Sequence, residues 1–408
     1  MKKRVSTLSG VRILVLTSST GGGHDARAIA FRRWVRKLYG WEVEVRVESM
    51  LEDSSRLNRL GVNFYNFIQK HAPWFHHPYH VFVEGLSYLN RSKVTLGRKY
   101  YSEVIENFKP HLVFSVHDCL NRGYFQVARE ILGKENVRCA TYCSEFSGGY
   151  GYSRNWVEPS VDLYLSRTET AKDFAISRFK LNSEKIIVRG HFLIPRIYEE
   201  KLSAYERHRF ITERLGLRPD RKIIFLATGG TGANNHMALL PAIKKYSETY
   251  QVLVVCGRNQ EAFMKVRQWQ RNNPELSCHV EGYCNEMHLF LQISHMVVTR
   301  GGTTTCSEAL HFECPIVFNG IGGVMPQEKL TVKYFMQDDA AVKISNSNDF
   351  EMLLMNLSRY PERFKELRRR FRTMRFQDAP SRVIYDLVDL AHEALPEEKR
   401  PVLKVVGE

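Results

Sequence analysis

Two stretches of this chain repeat one arrangement half a sequence apart. "ILVLTSSTGGGH" (13–24) and "IIFLATGGTGANNH" (223–236) each run a short apolar segment into a glycine-rich turn. A four- to six-residue apolar run closed by glycines reads as a strand buried on both faces. The glycines let the backbone turn sharply and approach a ligand without interference from a Cβ. Two such openings in 408 residues, a length that one core rarely supports, predict two α/β halves.

Further strand-like runs alternate with helical patterns. "WEVEVRV", "HLVFSV", "RCATYC", "DLYLS" and "KIIVRG" follow the first opening, and "QVLVVCG", "HMVVT", "PIVFNG" and "AAVKI" follow the second. Alternation of this kind builds parallel sheets through βα units. Between the two series, "IPRIYEEKLSAYERHRFITERLGLRPDRK" is charged and strandless, which places the boundary near residue 200. The expected organisation is an N-terminal Rossmann-like domain over 1–198 and a C-terminal one over 199–378, facing a central cleft. Residues 379–408 form a helix returning to the first domain, with Val383, Ile384, Leu387, Val388, Ala391 and Leu395 as its apolar stripe.

The bulk numbers narrow the class. Hydrophobic residues make up 43% and charged residues 25%, ordinary for a globular protein, and no apolar run is long enough to span a bilayer. The basic start followed by "VRILVLTSS" imitates a secretory leader, but glycines and an amphipathic helix follow without a small-residue cleavage site, so it reads as the first core strand. The eight cysteines include no C-x-x-C pair and several lie in apolar runs, as reduced, buried thiols of a cytoplasmic protein would. A net charge of +15 favours anionic partners. No nucleic-acid motif accompanies it, so phosphates of a nucleotide or of lipid headgroups are expected and nucleic acid is not.

His24 stands at the N-terminus of the helix "HDARAIAFRRWVRKLY", where free N–H groups and the positive dipole end favour an anion and a neutral imidazole. Gly21-x-Gly23-x-x-Ala26, with Glu48 further on, also meets a loose dinucleotide fingerprint, so this loop alone leaves a dehydrogenase open. The second half is more demanding. In "TRGGTTTCSEALHFECPIVFNGIGGVMPQEK" (299–329), Gly302, Thr303 and Thr304 can hold a pyrophosphate at a helix N-terminus. Glu308 can accept hydrogen bonds from ribose hydroxyls, and Gln327 with Glu328 offers donor and acceptor atoms for a sugar. A dehydrogenase leaves this segment without a role.

The ordered set "TSSTGGGH", "HLVFSVHD", "WVEPSVDLYLSRTETAK", "ATGGTGANN", "VCGRNQ", "EGYCNEM", "RGGTTTCSEAL" and "PQEK" resembles the family-28 glycosyltransferases of the two-domain GT-B fold. That family includes the monogalactosyldiacylglycerol synthases, the processive diacylglycerol glucosyltransferases and the N-acetylglucosaminyltransferase of peptidoglycan precursor synthesis. The resemblance covers most of the chain. It implies a UDP-sugar donor, with Gly22, Gly23, Gly229, Gly230, Thr231, Gly257 and Arg258 near the phosphates. It further implies Tyr283 near the uracil, Gly302, Thr303 and Thr304 on the pyrophosphate, Glu308 on the ribose, and Gln327 and Glu328 on the sugar. Arg196 matches an arginine that neutralises the diphosphate, although "GHFLIPR" departs from the usual G-x-P-x-R spacing.

The implied chemistry is inverting transfer of a hexose or N-acetylhexosamine to a hydroxyl of a lipid or lipid-like acceptor. It needs neither metal nor cofactor; glycine-loop amides, helix dipole and arginine hold the leaving UDP. The chain has no D-x-D motif. His24 is the expected base, with Asp25 and His117 as alternatives. Two positions depart from the lipid-acceptor pattern: Ser19 replaces an acid before the glycines, and Glu145 replaces an Asp. On the acceptor side, residues 59–90 mix eight aromatic rings with His71, His76, His77 and His80, which suits an anionic membrane surface on the cytoplasmic face. "YCSEFSGGYGYSRNW" is expected to form a loop over the cleft. A transferase for a soluble hydrophobic acceptor, a non-hydrolysing epimerase and a non-catalytic nucleotide-sugar sensor are the alternatives. A metal site at His76, His77 and His80 is weighed against all of these and not expected.

Overall fold

The computed structural model describes residues 10–20, 22–71, 75–89, 95–227, 235–376 and 379–396. Six strands form the first sheet: β1 (Val11–Thr17), β2 (Val43–Ser49), β3 (Leu112–Ser115), β4 (Arg138–Cys143), β5 (Leu163–Ser166) and β6 (Ile186–Val188), in the order β2-β1-β3-β4-β5-β6. Six more form the second: β7 (Lys222–Ala227), β8 (Tyr250–Val255), β9 (Cys278–Glu281), β10 (Met296–Thr299), β11 (Ile316–Asn319) and β12 (Val342–Ile344), in the order β12-β11-β10-β7-β8-β9. All strand pairings are parallel. The α/β reading is borne out: two sheets, each covered on both faces by helices.

The apolar runs form strands because both of their faces are covered. In β1, Leu14 and Leu16 pack into one cluster while Val11, Ile13 and Val15 pack into another on the opposite face. The run read from the sequence as a first core strand is β1, and the helix Gly23–Tyr39 follows it. All eight cysteines are free, and five of them are buried. One strand escaped the pattern. β9, "CHVE", is short, half polar and at a sheet edge, so it shows neither an apolar run nor clean alternation.

Strand order fixes where a ligand can sit. β1 lies between β2 and β3, and β7 lies between β8 and β10, so each sheet reverses direction beside its first strand. The loops leaving the carboxyl ends of β1 and β3, and of β7 and β10, therefore open a crevice. Among the described residues they carry Thr20, Gly22–His24, His117–Asp118 and Arg300–Gly302. The helix Ser381–His392 returns to the first sheet, burying Val383, Ile384, Leu387, Val388 and Ala391 in the same cluster as Val11 and Leu112.

The segment after β4 is not a loop lying over the cleft. Phe146 is fully buried in the core of the second half, against Tyr334 and Phe335. Gly151, at φ 104°, lies so close to the second half that a Cβ there would sit 2.1 Å from the Pro326 carbonyl oxygen. The Tyr-Gly-Tyr stretch is thus a wedge between the halves, and its glycine is what lets the two backbones meet.

A candidate active site between two helix N-termini

The first glycine turn ends at Gly22, a left-handed N-cap at φ 77°. The next residue faces the other half: a Cβ on Gly23 would lie 3.4 Å from Thr304 Oγ1. Thr304 is in the first turn of the helix Thr303–His311. Two helix N-termini, one from each half, thus converge on one spot, and both present positive dipole ends. Arg27 reinforces this, donating from Nη2 to Thr303 Oγ1. Arg167, almost wholly buried, donates from Nη1 to Ser307 Oγ at 2.6 Å and to the Thr303 carbonyl at 3.2 Å. Burial and the charge of Arg167 push the Arg27 guanidinium down to about 9. Thr304 Oγ1 is buried without a partner. A small cavity of about 90 Å³ lies here, lined by Arg27, Arg167, Thr304, Ser307 and Glu308 among others. Such a crevice is built for a dianionic group.

The remaining donor-side residues fall around it. Burial pushes the Glu308 carboxyl up to about 7, against the opposing charge of Arg196. Arg196 Nη2 donates to the Asn285 carbonyl, tying the linker to the second half. Gly257 takes φ 57°, and the Arg258 guanidinium lies 4.4 Å from the centre of the half-exposed Tyr283 ring. Gly302 is the N-cap of Thr303–His311. Gln327 and Glu328 part company. Gln327 lines the large cavity described next, and its Nε2 donates to Tyr65 Oη at 2.7 Å. Glu328 turns inward, accepting from the Met325 N–H at 3.2 Å and lying 3.6 Å from Arg300 Nε, and burial raises its carboxyl. Gly229, Gly230 and Thr231 lie outside the described residues.

The second cavity, about 370 Å³, opens in the first half. Its polar floor is His24, His117, Asp118, Glu145, Ser153 and Trp156, and its walls include Leu51, Leu57, Val62, Tyr65, Tyr79 and Leu96. His24 Nδ1 lies 2.7 Å from the Val116 carbonyl, so Nδ1 carries the proton and Nε2 is the acceptor. The ring sits 4.2 Å from that of His117. Burial, then His117 and Arg27, hold the His24 imidazolium well below the usual histidine range. His117 has both nitrogens engaged: Nδ1 accepts from the Cys119 N–H at 3.1 Å and also lies 3.1 Å from Asp118 Oδ1, and Nε2 meets Thr20 Oγ1 at 2.8 Å. Burial works to raise the Asp118 carboxyl, but the hydrogen bond and charge of His117, with His24 and Ser153, outweigh it and keep it low.

Asp25 points back toward the turn. It accepts from Thr17 Oγ1 at 3.0 Å and from Ser19 Oγ at 2.6 Å. Ser19 is also where Glu52 docks, accepting from the Ser19 N–H at 2.7 Å and from Ser18 Oγ at 2.9 Å. The acid that the sequence lacks at position 19 is replaced spatially by two acids from helices. Glu48, the ribose acid of the dehydrogenase alternative, is bound by Tyr100 Oη at 2.7 Å and by Arg46. Of the three histidines weighed as a metal site, His77 is committed to Tyr150 Oη and the Val324 carbonyl. Among the described residues, the side chains that come within ligand distance of one another are instead His117, Asp118 and Cys119.

Glu145 stands out in this floor. It is 7% exposed, and its Oε2 has no hydrogen-bond partner. Burial pushes its carboxyl up to about 7, although Arg27 and Arg167 oppose that. Arg167 and Glu52 carried no signal as site residues in the sequence, and Arg27 had only its place one helical turn beyond His24. Tyr65 was among the eight aromatic rings read as acceptor-side, but its meeting with Gln327 is set by the fold.

Around the cavity mouth, Leu57, Leu60, Phe64 and Phe67 are all exposed on the helix Arg56–His71. Their spacing puts them on one face, while Val62 and Ile68 of the same helix are buried. Val81, Phe82 and Leu96 extend the exposed apolar area. Among the described residues no helix is long and apolar enough to cross a membrane.

Residues 223–320 match the family described as glycosyltransferase family 28 C-terminal domain. The chain is 24% identical over 340 residues to monogalactosyldiacylglycerol synthase 1, chloroplastic, of Arabidopsis thaliana, covering 80% of this chain and 61% of that protein. It is 22% identical over 408 residues to the processive diacylglycerol beta-glucosyltransferase of Staphylococcus epidermidis, covering 95% of each. The chain thus spans only about three-fifths of the plant relative's length and nearly all of the bacterial one's. Among solved structures, MurG of Acinetobacter baumannii superposes with a TM-score of 0.60 at 12% identity, covering 93% of this chain and all of that one. The family-28 resemblance and the GT-B architecture read from the motifs are both borne out.

Proposed function

We propose that this protein is an inverting glycosyltransferase that moves a hexose or N-acetylhexosamine from a UDP-sugar to a hydroxyl of a lipid acceptor at a membrane surface. The observation that carries this reading is the meeting of Gly23 and Thr304. It sets a paired helix N-terminus, with Arg27 and Arg167, beside a cavity whose floor is acid–base chemistry and whose mouth is apolar.

In this reading the diphosphate lies across the N-terminus of Thr303–His311, Glu308 takes the ribose, and the uracil stacks on the exposed ring of Tyr283. Gln327 contacts the sugar; Glu328 supports it by capping the helix Pro326–Met336. The acceptor enters through the first half, its chain along Leu57, Val62 and Leu96, its hydroxyl toward His24 Nε2. Arginines and dipoles compensate the departing charge, so the reaction needs no metal ion. The exposed stripe on Arg56–His71 sits in the headgroup layer of an anionic, cytoplasm-facing membrane and delivers lipid directly to the cavity. The names of the two relatives, one a monogalactosyldiacylglycerol synthase and the other a diacylglycerol glucosyltransferase, support a lipid acceptor.

The test is a panel of UDP-sugars offered with a total lipid extract, products read by mass spectrometry. A glycosylated lipid from one donor supports the reading. UDP binding without transfer to any acceptor favours a sensor instead.

A further inference from the structure

We propose that Glu145 is the group that takes the acceptor hydroxyl's proton, and that it links the acceptor cavity to the diphosphate cavity. This rests on the glycosyltransferase reading above and assigns a catalytic residue within it.

Glu145 lines one cavity while feeling the charges that line the other. It lines the large cavity beside His24, His117 and Trp156. Arg27 and Arg167, the charges that oppose its protonation, line the smaller one with Thr304 and Glu308. Trp156 favours the charged carboxyl, and Oε2 is buried without a hydrogen-bond partner. A buried carboxylate oxygen without a donor costs on the order of 1–3 kcal/mol, so a site that keeps one has a donor arriving in the complex. A substrate hydroxyl entering that cavity is such a donor.

The surrounding charges favour Glu145 over His24 as the place where the proton rests. A cation on His24 would be buried beside His117 and Arg27, and all three effects disfavour it. His24, with Nδ1 fixed to Val116, can accept a hydrogen bond through Nε2 and so orient the hydroxyl. In its buried setting, Glu145 feels Arg27 and Arg167, which oppose its protonation, and the Asp118 carboxylate, which favours it. These opposing influences leave it ionised yet readily protonated near neutrality, where a general base works best.

The step balances. The acceptor O–H bond breaks as its oxygen forms a bond to C1 of the donor sugar. The bond from C1 to the β-phosphate oxygen breaks, and its electron pair leaves with UDP. The proton passes to Glu145. As the carboxylate becomes neutral, Arg27 and Arg167 lose their anionic partner at the moment the diphosphate gains charge. The net charge around the two arginines is conserved through the step.

The experiment is steady-state transfer over a pH series for wild type, Glu145→Gln and Glu145→Asp, with UDP affinity by calorimetry and thermal melting for each. Wild-type kcat/KM should rise with pH through an apparent pKa near 7. Glu145→Gln should lose about 10²–10⁴-fold in kcat with UDP affinity held within about threefold. Glu145→Asp should recover part of the rate with a displaced acid limb. Glu145→Gln turnover within about tenfold of wild type, or an unchanged acid limb in the Asp variant, would overturn the assignment and leave the glycosyltransferase reading intact. A wild type that binds UDP but transfers to no acceptor would sink both. If the Gln variant no longer binds UDP, the Asp variant decides: a displaced acid limb supports the assignment and an unchanged one overturns it.

Discussion

Tyr65 and Gln327 join the two halves through a 2.7 Å hydrogen bond, from the Gln327 amide to the Tyr65 hydroxyl. Tyr65 belongs to the helix with the exposed apolar stripe, and Gln327 to the segment assigned to the donor sugar. The elements proposed to face the membrane and the sugar are therefore linked by a neutral contact. Replacing Gln327 with Ala should lower kcat/KM for transfer by about one to two orders of magnitude, because a sugar hydroxyl loses its partner. UDP affinity should be nearly unchanged. Tyr65→Phe should cost about 1 kcal/mol at most in stability while altering the acceptor KM. Steady-state kinetics with both substrates varied checks this.

Arg167 is expected to govern donor affinity. It is nearly inaccessible and reaches Ser307 Oγ and the Thr303 carbonyl across the interface. Arg167→Ala should weaken UDP by about tenfold or more, the usual scale for losing a charge-assisted contact. Arg167→Lys should not restore it, since a point charge cannot reproduce the fork. Isothermal titration with UDP and with uridine separates the phosphate contribution.

Gly151 should tolerate nothing larger. An added Cβ would meet the Pro326 backbone at 2.1 Å, and the φ of 104° is strained for any other residue. Gly151→Ala should lower the melting temperature and reduce transfer by prising the halves apart. Gly40→Ala, also at positive φ but with open space around it, serves as the control, carrying backbone strain alone.

The membrane claim rests on Leu57, Phe64 and Phe67. The triple substitution to Ser acts on exposed side chains, so the melting temperature should stay within a few degrees. Flotation with anionic liposomes at low salt should fall sharply. Retained flotation would contradict the assignment of this helix.

Stability should carry the signature of Glu145. Its carboxyl lies near 7 when folded, above the ordinary glutamate value of about 4.3. A raised value means that the folded state binds the proton more tightly, so this contribution is present at low pH and lost as pH rises from about 4.3 through about 7. The melting temperature of wild type relative to Glu145→Gln should therefore fall between about pH 5 and about pH 8. The histidines with depressed values, His24 and His76 among them, act in the opposite direction, but they are common to both proteins and cancel in the difference.

Much of the fold was legible because buried parallel strands are written as apolar runs. β1, β7 and β8 are dominated by apolar residues, and each is nearly inaccessible. β9 was not legible, since an edge strand of Cys-His-Val-Glu has no such run. At the site, His24, Gln327 and Glu308 could be nominated because each sits in a local motif. Arg167 could not, because its place depends on how β5 meets the second half, and Tyr65 could be placed on the acceptor side but not paired with Gln327. Glu328 shows the converse limit. It lies in a sugar-binding pattern, yet its carboxylate is taken up by the Met325 N–H and Arg300. Adjacent residues on a helix point about 100° apart, so a dipeptide seldom presents both side chains to one ligand.

The most direct measurement is transfer from radiolabelled UDP-sugars to lipid in anionic liposomes, comparing wild type with Gln327→Ala and Glu145→Gln. The expected result is label in the lipid phase from at least one UDP-sugar with release of one UDP per sugar, reduced by about one to two orders of magnitude in Gln327→Ala and by about 10²–10⁴-fold in Glu145→Gln, while each still binds UDP. Undiminished labelling by both variants, or no lipid labelling by wild type from any UDP-sugar, would contradict it.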